Sequence, residues 1–172
     1  HIAPGELGDR VRFISHLDVL RFWERAIRRA GLPLSYSQGF TPHPRLAFAA
    51  PLPLGFTAER EVMDVTLDER IELDEFEARL RVETTPDLTI VGVEEVAAGA
   101  PPPQAAMLWA DYSVTMPGLS PAGAETTLRD FGKTETLPWR EERGERIREY
   151  DMRAATAWVR LRPIDGGIVL TM

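Results

Sequence analysis

The sequence predicts an α+β fold in which an antiparallel sheet is backed by two helices. Two observations carry this prediction. Amphipathic helical patterns at residues 16–30 and 73–81 are each preceded and followed by short runs that are typical of strands. The chain has 172 residues, 44% of them hydrophobic, and no apolar run of about 18 residues, so we expect a real core and no membrane span.

The first helix has clear start and stop signals. Ser15 stands at the N-cap position, and Asp18 stands at the capping-box position, three residues later, whose side chain can reach back to the N-cap. Gly31 is placed to end the helix. At 100° per residue, the apolar side chains of 16–30 fall on one face and the arginines on the other. The helix is therefore predicted to be apolar toward the sheet and basic outward.

Short alternating or β-branched runs predict the strands of the first half. These strands are expected at residues 10–14, 33–36, 46–50, 61–67 and 88–96. With the two helices, they give the ferredoxin-like split βαβ order. The side chains expected between the helices and the sheet are Trp23, Ile27, Phe76 and Leu80.

The second half predicts a smaller α+β subdomain at residues 107–172, after a ferredoxin-like subdomain at 1–96. Residues 97–106 contain three consecutive prolines and predict a stiff linker. The second half is predicted to be an incomplete copy of the first, ending before its last helix and strand. Its predicted elements are a strand at 107–116, a helix at 121–131, a short strand at 137–139, a hairpin or exposed arm at 140–151, and strands at 157–162 and 167–172.

Composition excludes several classes of site. The chain has no cysteine, which excludes disulfides, thiolate zinc sites and cysteine-ligated iron–sulfur clusters. No metal site is predicted, because a set built from His16, His43, Asp18 and Asp64 contains no closely spaced ligand pair. A Ser–His–Asp triad using Ser15 or Ser37 is disfavoured because no nucleophile elbow is present. A cytoplasmic location is the expectation.

The net charge of −7 is unevenly distributed. Residues 1–50 hold seven arginines against four acids, giving +3, while 51–100 hold four against thirteen, giving −9. Residues 101–172 hold nine basic residues against ten acids, giving −1. The overall acidity disfavours promiscuous nucleic-acid binding, but it leaves room for a local basic face in the first half.

Two segments carry most of the candidate chemistry. The first is Ser15-His16-Leu17-Asp18, and the second runs from Tyr36 to Arg45 through a loop with prolines on both sides of His43. A rigid loop that displays polar side chains is a common binding device. The predicted binding residues are Ser15, His16, Asp18, Arg21, Arg25, Arg28, Tyr36, Gln38, Phe40, His43 and Arg45. No catalytic residue is firmly predicted, and His16 and His43 are the candidates.

The arginines of the first helix have two interpretations. Arg21, Arg25 and Arg28 project together from one face. They suit the tracking of phosphates, with Tyr36 and Phe40 available to stack on unpaired bases. The same pattern is also typical of a solvated helix face.

The two segments resemble the signature of a family of bacterial domains described as radical SAM-linked. Phe-x-Ser-His-Leu-Asp lies at residues 13–18, and Leu-Pro-x-x-Tyr-Ser-x-Gly-Phe-x-Pro-His-Pro at 32–44. Phe-Ala-x-Pro-Leu-x-x-Gly at 48–55 and a Glu61-x-x-Asp64 pair also match. The resemblance is dense over residues 10–70 and weak beyond about 100. The family's chains normally continue past the last strand here, so the resemblance implies a truncated copy.

The resemblance implies an accessory role. Such domains are extensions or partners of radical S-adenosylmethionine (SAM) proteins, so SAM and an iron–sulfur cluster are expected on the partner and no cofactor on this chain. Gene neighbourhoods in the family hint at RNA. We therefore expect a non-catalytic binding or scaffold module for modification of tRNA or rRNA. The alternatives are a stand-alone RNA-processing or RNA-modifying enzyme that uses His16 or His43 as general acid–base, and a protein–protein adaptor.

Overall fold

The structure is a computed structural model that describes residues 2–4, 11–97, 99–144 and 146–172. The protein has a mixed α+β fold. The chain divides into two compact units, His1–Leu108 and Trp109–Met172. Within the described residues, no helix is both long enough and apolar enough to cross a membrane.

The first unit contains a four-stranded antiparallel sheet and three helices. The elements in chain order are β1 (Ile2–Pro4), α1 (His16–Arg29), β2 (Leu46–Phe48), β3 (Met63–Val65), α2 (Leu73–Arg81), β4 (Ile90–Val93) and α3 (Pro103–Ala106). The strand order is β2-β3-β1-β4. Every neighbouring pair is antiparallel.

Helices α1 and α2 bury their apolar faces in one core. Trp23, Ile27 and Leu80 are fully buried and Phe76 nearly so, which confirms the predicted interface. The strands contribute buried side chains to the same cluster, including Phe48 and Met63. Both long helices of this unit follow their sequence signals, because their apolar residues recur with helical spacing.

The strands of the first unit are shorter than predicted, and one prediction was wrong. Residues 11–13 form a turn, in which Ile14 N donates to Val11 O at 3.1 Å, and not the strand predicted at 10–14. Residue 10 lies outside the described residues. The first strand is instead β1, whose three residues are too few to show a period. The predicted strand at 33–36 is reduced to two isolated bridges, Leu34 with Leu67 and Tyr36 with Pro44.

The predicted linker region includes one turn of helix. Pro103 at the start of α3 is buried, and Gln104 Nε2 donates to Phe48 O of β2 at 2.5 Å. The later part of this proline-rich segment therefore packs on the first unit.

The second unit contains a three-stranded sheet, one helix and a separate hairpin. The elements are β5 (Ser113–Pro117), α4 (Pro121–Lys133), β6 (Pro138–Arg143), β7 (Arg146–Asp151), β8 (Arg160–Ile164) and β9 (Gly167–Thr171). The sheet order is β5-β9-β8, and β6 pairs with β7. The predicted strand at 107–116 begins only at Ser113, and the predicted arm at 140–151 is largely the β6–β7 hairpin.

Candidate functional site

The start of α1 is fixed by a network around Asp18. Ser15 is the N-cap: its Oγ accepts from Asp18 N at 3.2 Å, and its hydroxyl donates to Asp18 Oδ2 at 2.8 Å. Arg21 Nη1 donates to Asp18 Oδ1 at 3.2 Å. The hydrogen bond from Ser15, supported by Arg21, lowers the pKa of the Asp18 carboxyl. The predicted cap is confirmed, and these side chains bind one another.

His16, the first residue of α1, is held against the core. Its ring meets the Phe48 ring edge to face, with 5.2 Å between the centroids and 77° between the planes. Partial burial lowers the pKa of His16, since it disfavours the imidazolium form. Burial therefore favours the neutral imidazole.

His16 shares a small cavity with a second titratable group, Glu61. The cavity has a volume of about 10 Å³, and its walls also include Val19, Leu52 and Phe56. Burial raises the pKa of Glu61 to about 7, because these apolar walls disfavour a carboxylate. Sequence reasoning did not select Glu61 as a site residue. Its signals in the sequence are the Glu61-x-x-Asp64 pair, which matches the family resemblance, and its place at the start of the strand predicted at 61–67.

A side-chain hydrogen bond of Tyr36 connects the second segment to α1. Its hydroxyl donates to Glu24 Oε1 at 3.1 Å. The pKa of Tyr36 is raised by burial, then by the hydrogen bond and the negative charge of Glu24, while the positive charge of Arg28 opposes this shift. The loop therefore begins beside the basic face of the helix.

The loop from Ser37 to His43 is closed at its base and open at its tip. Ser37 N donates to His43 O at 2.8 Å, and His43 N donates to Ser37 Oγ at 2.9 Å. Gly39 has a φ of +135°, a conformation that L side chains rarely adopt. Phe40 at the tip is fully exposed, and the side chains of Gln38 and His43 are exposed as well. The loop thus presents these three side chains to solvent.

The four predicted arginines of this unit differ in whether they form ion pairs. Arg21, Arg25, Arg28 and Arg45 are all exposed. Arg21 pairs with Asp18. Among the described residues, no carboxylate forms an ion pair with Arg25, Arg28 or Arg45.

The predicted site residues therefore form two groups. One lies at the start of α1 and includes Ser15, His16 and Asp18, and the other includes Tyr36, Arg28 and the loop. His16 and Glu24 are eight residues apart, which is about 12 Å along a helix axis. The structure describes no contact between His16 and His43. In the described parts of the chain, no group of three or more His, Cys, Asp or Glu side chains is arranged to hold a metal ion.

These elements define an α+β protein of two small units, with a polar loop attached to a basic helix. A family model described as "Uncharacterized protein conserved in bacteria (DUF2344)" matches residues 7–171, and the chain belongs to that family. Comparisons with curated proteins and with solved structures gave no match. The match confirms that the chain belongs to a bacterial family, as the resemblance implies.

Proposed function

We propose that the chain is a non-catalytic binding module that holds RNA, either tRNA or rRNA, for a radical SAM enzyme. SAM and the iron–sulfur cluster belong to the partner in this proposal. The two parts of the proposal have different support. RNA binding is supported by the geometry of α1 and the loop beside it. The radical SAM partner is supported by the motifs at residues 13–18 and 32–44 alone.

The observation that carries the RNA proposal is an exposed arginine face on α1, together with an exposed aromatic ring on the loop whose first residue, Tyr36, is hydrogen-bonded to α1. Arg21, Arg25 and Arg28 follow one another at spacings of four and three residues, so they share one side of α1 over about 10 Å. Guanidinium groups bind phosphate oxygens through paired hydrogen bonds. An exposed ring such as that of Phe40 suits stacking on an unpaired base.

The local charge supports the same assignment. The chain as a whole carries −7, yet residues 1–50 carry +3. Among the described residues, Arg25 and Arg28 lack an ion-pair partner, so phosphates would not have to displace a carboxylate there. Contacts of this kind position an RNA backbone without reading its sequence.

A binding role is also supported by what the motif side chains do. Ser15 and Asp18 cap α1, and Tyr36 is hydrogen-bonded to Glu24. Each of these polar groups forms a hydrogen bond with another group of the same unit. This is the behaviour of a scaffold that holds a loop and a helix face in fixed positions.

A second candidate function, that of a stand-alone RNA-processing or RNA-modifying enzyme, is favoured by one observation. His16 and Glu61 line the same cavity, and burial raises the pKa of Glu61 to about 7, the range where proton transfer at neutral pH is effective, while it lowers the pKa of His16 and so favours the neutral imidazole. His43 has no comparable environment, because its side chain is exposed. In this alternative, His16 acts as general base and Glu61 as general acid. A His16→Gln variant that retains full activity on RNA would exclude it.

We assign the first unit to the ferredoxin-like class. The order β-α-β-β-α-β supports this, as does a sheet in which β3 lies between β1 and β2 while β1 lies between β3 and β4. The second unit supports an incomplete copy, because β8-β9-β5 repeats the order β2-β3-β1 with α4 after its first strand. The β6–β7 hairpin is then an insertion. An experimental structure in which β5 pairs with β8 would contradict the duplication.

We also propose a cytoplasmic location. It is supported by the absence of cysteine from the sequence, and it is consistent with the RNA ligand proposed above. Fractionation of the native bacterium tests it, and recovery in the periplasmic fraction would contradict it.

The RNA proposal is tested by a triple variant, Arg21→Gln, Arg25→Gln and Arg28→Gln. We expect it to bind single-stranded RNA more weakly than the parent protein while remaining folded and unfolding within several degrees of the parent, because exposed substitutions change stability by no more than about 0.5 kcal/mol each. The slope of log affinity against log salt should flatten by about 0.7 for each phosphate that the variant no longer binds. Fluorescence anisotropy with a labelled oligonucleotide at several salt concentrations measures both effects.

A charge-matched control uses Arg60→Gln, Arg129→Gln and Arg162→Gln, three exposed arginines elsewhere in the chain. It removes the same total charge, and we expect it to keep at least most of the affinity and the salt slope. Equal losses of RNA affinity in the two triple variants would show that the α1 arginines contribute only through the total charge of the protein. A parent protein without measurable RNA affinity at low salt would reject the proposal and favour the protein–protein adaptor.

A further inference from the structure

The β6–β7 hairpin forms a two-stranded sheet of its own. Its strands pair with each other over six residues on each side, from Pro138 with Asp151 to Arg143 with Arg146. Among the described strands, neither pairs with any third strand. Its base is secured by Asp151, whose Oδ1 accepts from Leu137 N at 2.8 Å and from Arg153 N at 2.9 Å. The hairpin is therefore an arm anchored at one end.

The register divides the arm into two faces of different chemistry. Directly opposed residues share a face, and the faces alternate along each strand. One face has Trp139 opposite Tyr150, then Glu141 opposite Arg148, with Arg146 beyond. The other face consists of the alternate pairs, which are Pro138 opposite Asp151, Arg140 opposite Glu149 and Glu142 opposite Ile147. We call the first the aromatic-basic face of the arm.

Charge and apolar character are segregated between these faces. The aromatic-basic face carries Arg146 and Arg148 against Glu141, whereas the other carries one arginine against three carboxylates. The apolar groups of the aromatic-basic face are both planar rings, since the aliphatic Ile147 lies on the opposite face. A face of rings and guanidinium groups without aliphatic side chains fits stacked bases and phosphates better than the packed apolar centre of a protein interface.

The two rings are available for a ligand. Trp139 is 51% exposed and Tyr150 is 42% exposed. The ring contacts within the described chain join His16 to Phe48 and Phe22 to Trp23, so neither arm ring is covered by another aromatic ring. Both rings line an open groove of about 510 Å³ at the base of the arm, whose other walls are Thr136, Pro138, Arg140, Glu149 and Asp151. That volume lies within the range of small-ligand sites, roughly 300–1,000 Å³.

We propose that the aromatic-basic face of the arm is a second nucleic-acid surface, which binds an unpaired nucleotide of a single strand. A base stacks on Trp139 and Tyr150, and Arg148 and Arg146 contact the phosphates that follow. Arg148 is two residues along the strand from Tyr150, about 7 Å. The inference takes RNA as its ligand class from the proposed function, but its residues are independent of α1.

The experiment measures binding of a labelled single-stranded oligoribonucleotide to the full chain. The double variant Trp139→Leu, Tyr150→Leu should lose affinity by about tenfold or more, because stacking on an aromatic side chain contributes that much per base. Its salt slope should be unchanged, since no charge is removed. The pair Arg146→Gln, Arg148→Gln should instead flatten the slope by about 0.7 for each phosphate that is released.

Two controls separate stacking from folding. Trp158→Leu removes another exposed indole of the same unit, 40% exposed, and should leave affinity unchanged. The conservative variant Trp139→Phe, Tyr150→Phe keeps two rings and should retain binding. If this pair loses as much affinity as the leucine variant while circular dichroism shows the parent fold, the stacking assignment is overturned.

The triple arginine variant of α1, measured in parallel, distinguishes this proposal from the proposed function. Loss of affinity in the α1 variant with none in the leucine variant overturns the arm and leaves the α1 surface standing. The reverse pattern supports the arm and rejects α1. Unchanged RNA affinity together with loss of the radical SAM partner in a pull-down would assign the arm to protein binding and overturn the proposal.

Discussion

The two units of the chain differ in how much apolar surface they bury. The first has a cluster of eleven buried side chains, in which α1 and α2 cover the sheet. In the second, the buried hydrophobic residues among those described are Ala124, Ile168 and Val169, and the strands of its hairpin are mostly exposed. The first unit therefore has the better packed scaffold, and substitutions in the two units should differ in cost accordingly.

Core truncation should show this difference most strongly. Leu80→Ala in α2 removes a fully buried side chain and should lower the free energy of unfolding by about 3–5 kcal/mol. Ile168→Ala in β9 should cost less, about 2–3 kcal/mol, because its sparser surroundings can collapse more easily. Urea denaturation measures both values.

Val82→Ala is the matched control, since Val82 is 81% exposed and lies two residues after Leu80. It should change stability by no more than about 0.5 kcal/mol. Equal costs for Leu80→Ala and Ile168→Ala would refute the comparison between the units.

The buried carboxyl of Glu61 in the cavity of the first unit predicts a pH dependence of stability of intermediate size. The folded pKa of Glu61 is about 7 against an ordinary value of 4.5, so the folded state keeps a proton that the unfolded chain releases. Stability should therefore fall as the pH rises from about 4.5 to about 7. The cost, discounted because the group is partly exposed, is about 1–3 kcal/mol.

Glu61→Gln should remove this contribution. The variant should be more stable than the parent at pH 8 and no more stable at pH 4, as measured by thermal unfolding across that range. The titration of His16 acts in the opposite direction, because its depressed pKa destabilises the fold as the pH falls below its ordinary range. A difference that does not vary with pH would show that Glu61 titrates normally.

The smallest predicted difference lies in the helix caps. Ser15 Oγ accepts from Asp18 N at 3.2 Å and also donates to the Asp18 carboxylate, whereas Ser120 Oγ accepts from Gly123 N at 3.4 Å. We expect Ser15→Ala to cost about 1 kcal/mol and Ser120→Ala about 0.5 kcal/mol. Chemical denaturation of the two variants checks the order, and a larger cost at Ser120 would reverse the ranking.

The sequence predicted helices better than strands, for a physical reason. The apolar face of α1, its serine cap and Gly31 are local signals, and α2 begins and ends at the predicted residues. Strands of three or four residues are too short to show a period. Hence the alternation of residues 10–14 predicted a strand where residues 11–13 form a turn.

The contacts of the candidate site also divide into local ones, which the sequence predicts, and long-range ones, which it does not. The cap formed by Ser15 and Asp18 was predictable because its partners are three residues apart. The hydrogen bond from Tyr36 to Glu24 and the cavity shared by His16 and Glu61 join segments that only tertiary structure brings together. Residue types alone indicate neither contact.

The most direct test of RNA binding by α1 and its loop is ultraviolet cross-linking of the full chain to RNA that contains 4-thiouridine, followed by mass spectrometry of the linked peptides. We expect cross-links at Phe40 and in peptides that contain Arg25 and Arg28, and we expect them to weaken in the triple variant Arg21→Gln, Arg25→Gln, Arg28→Gln. Cross-links that avoid residues 16–45 altogether, or that persist at full intensity in that variant, would contradict RNA binding by this surface.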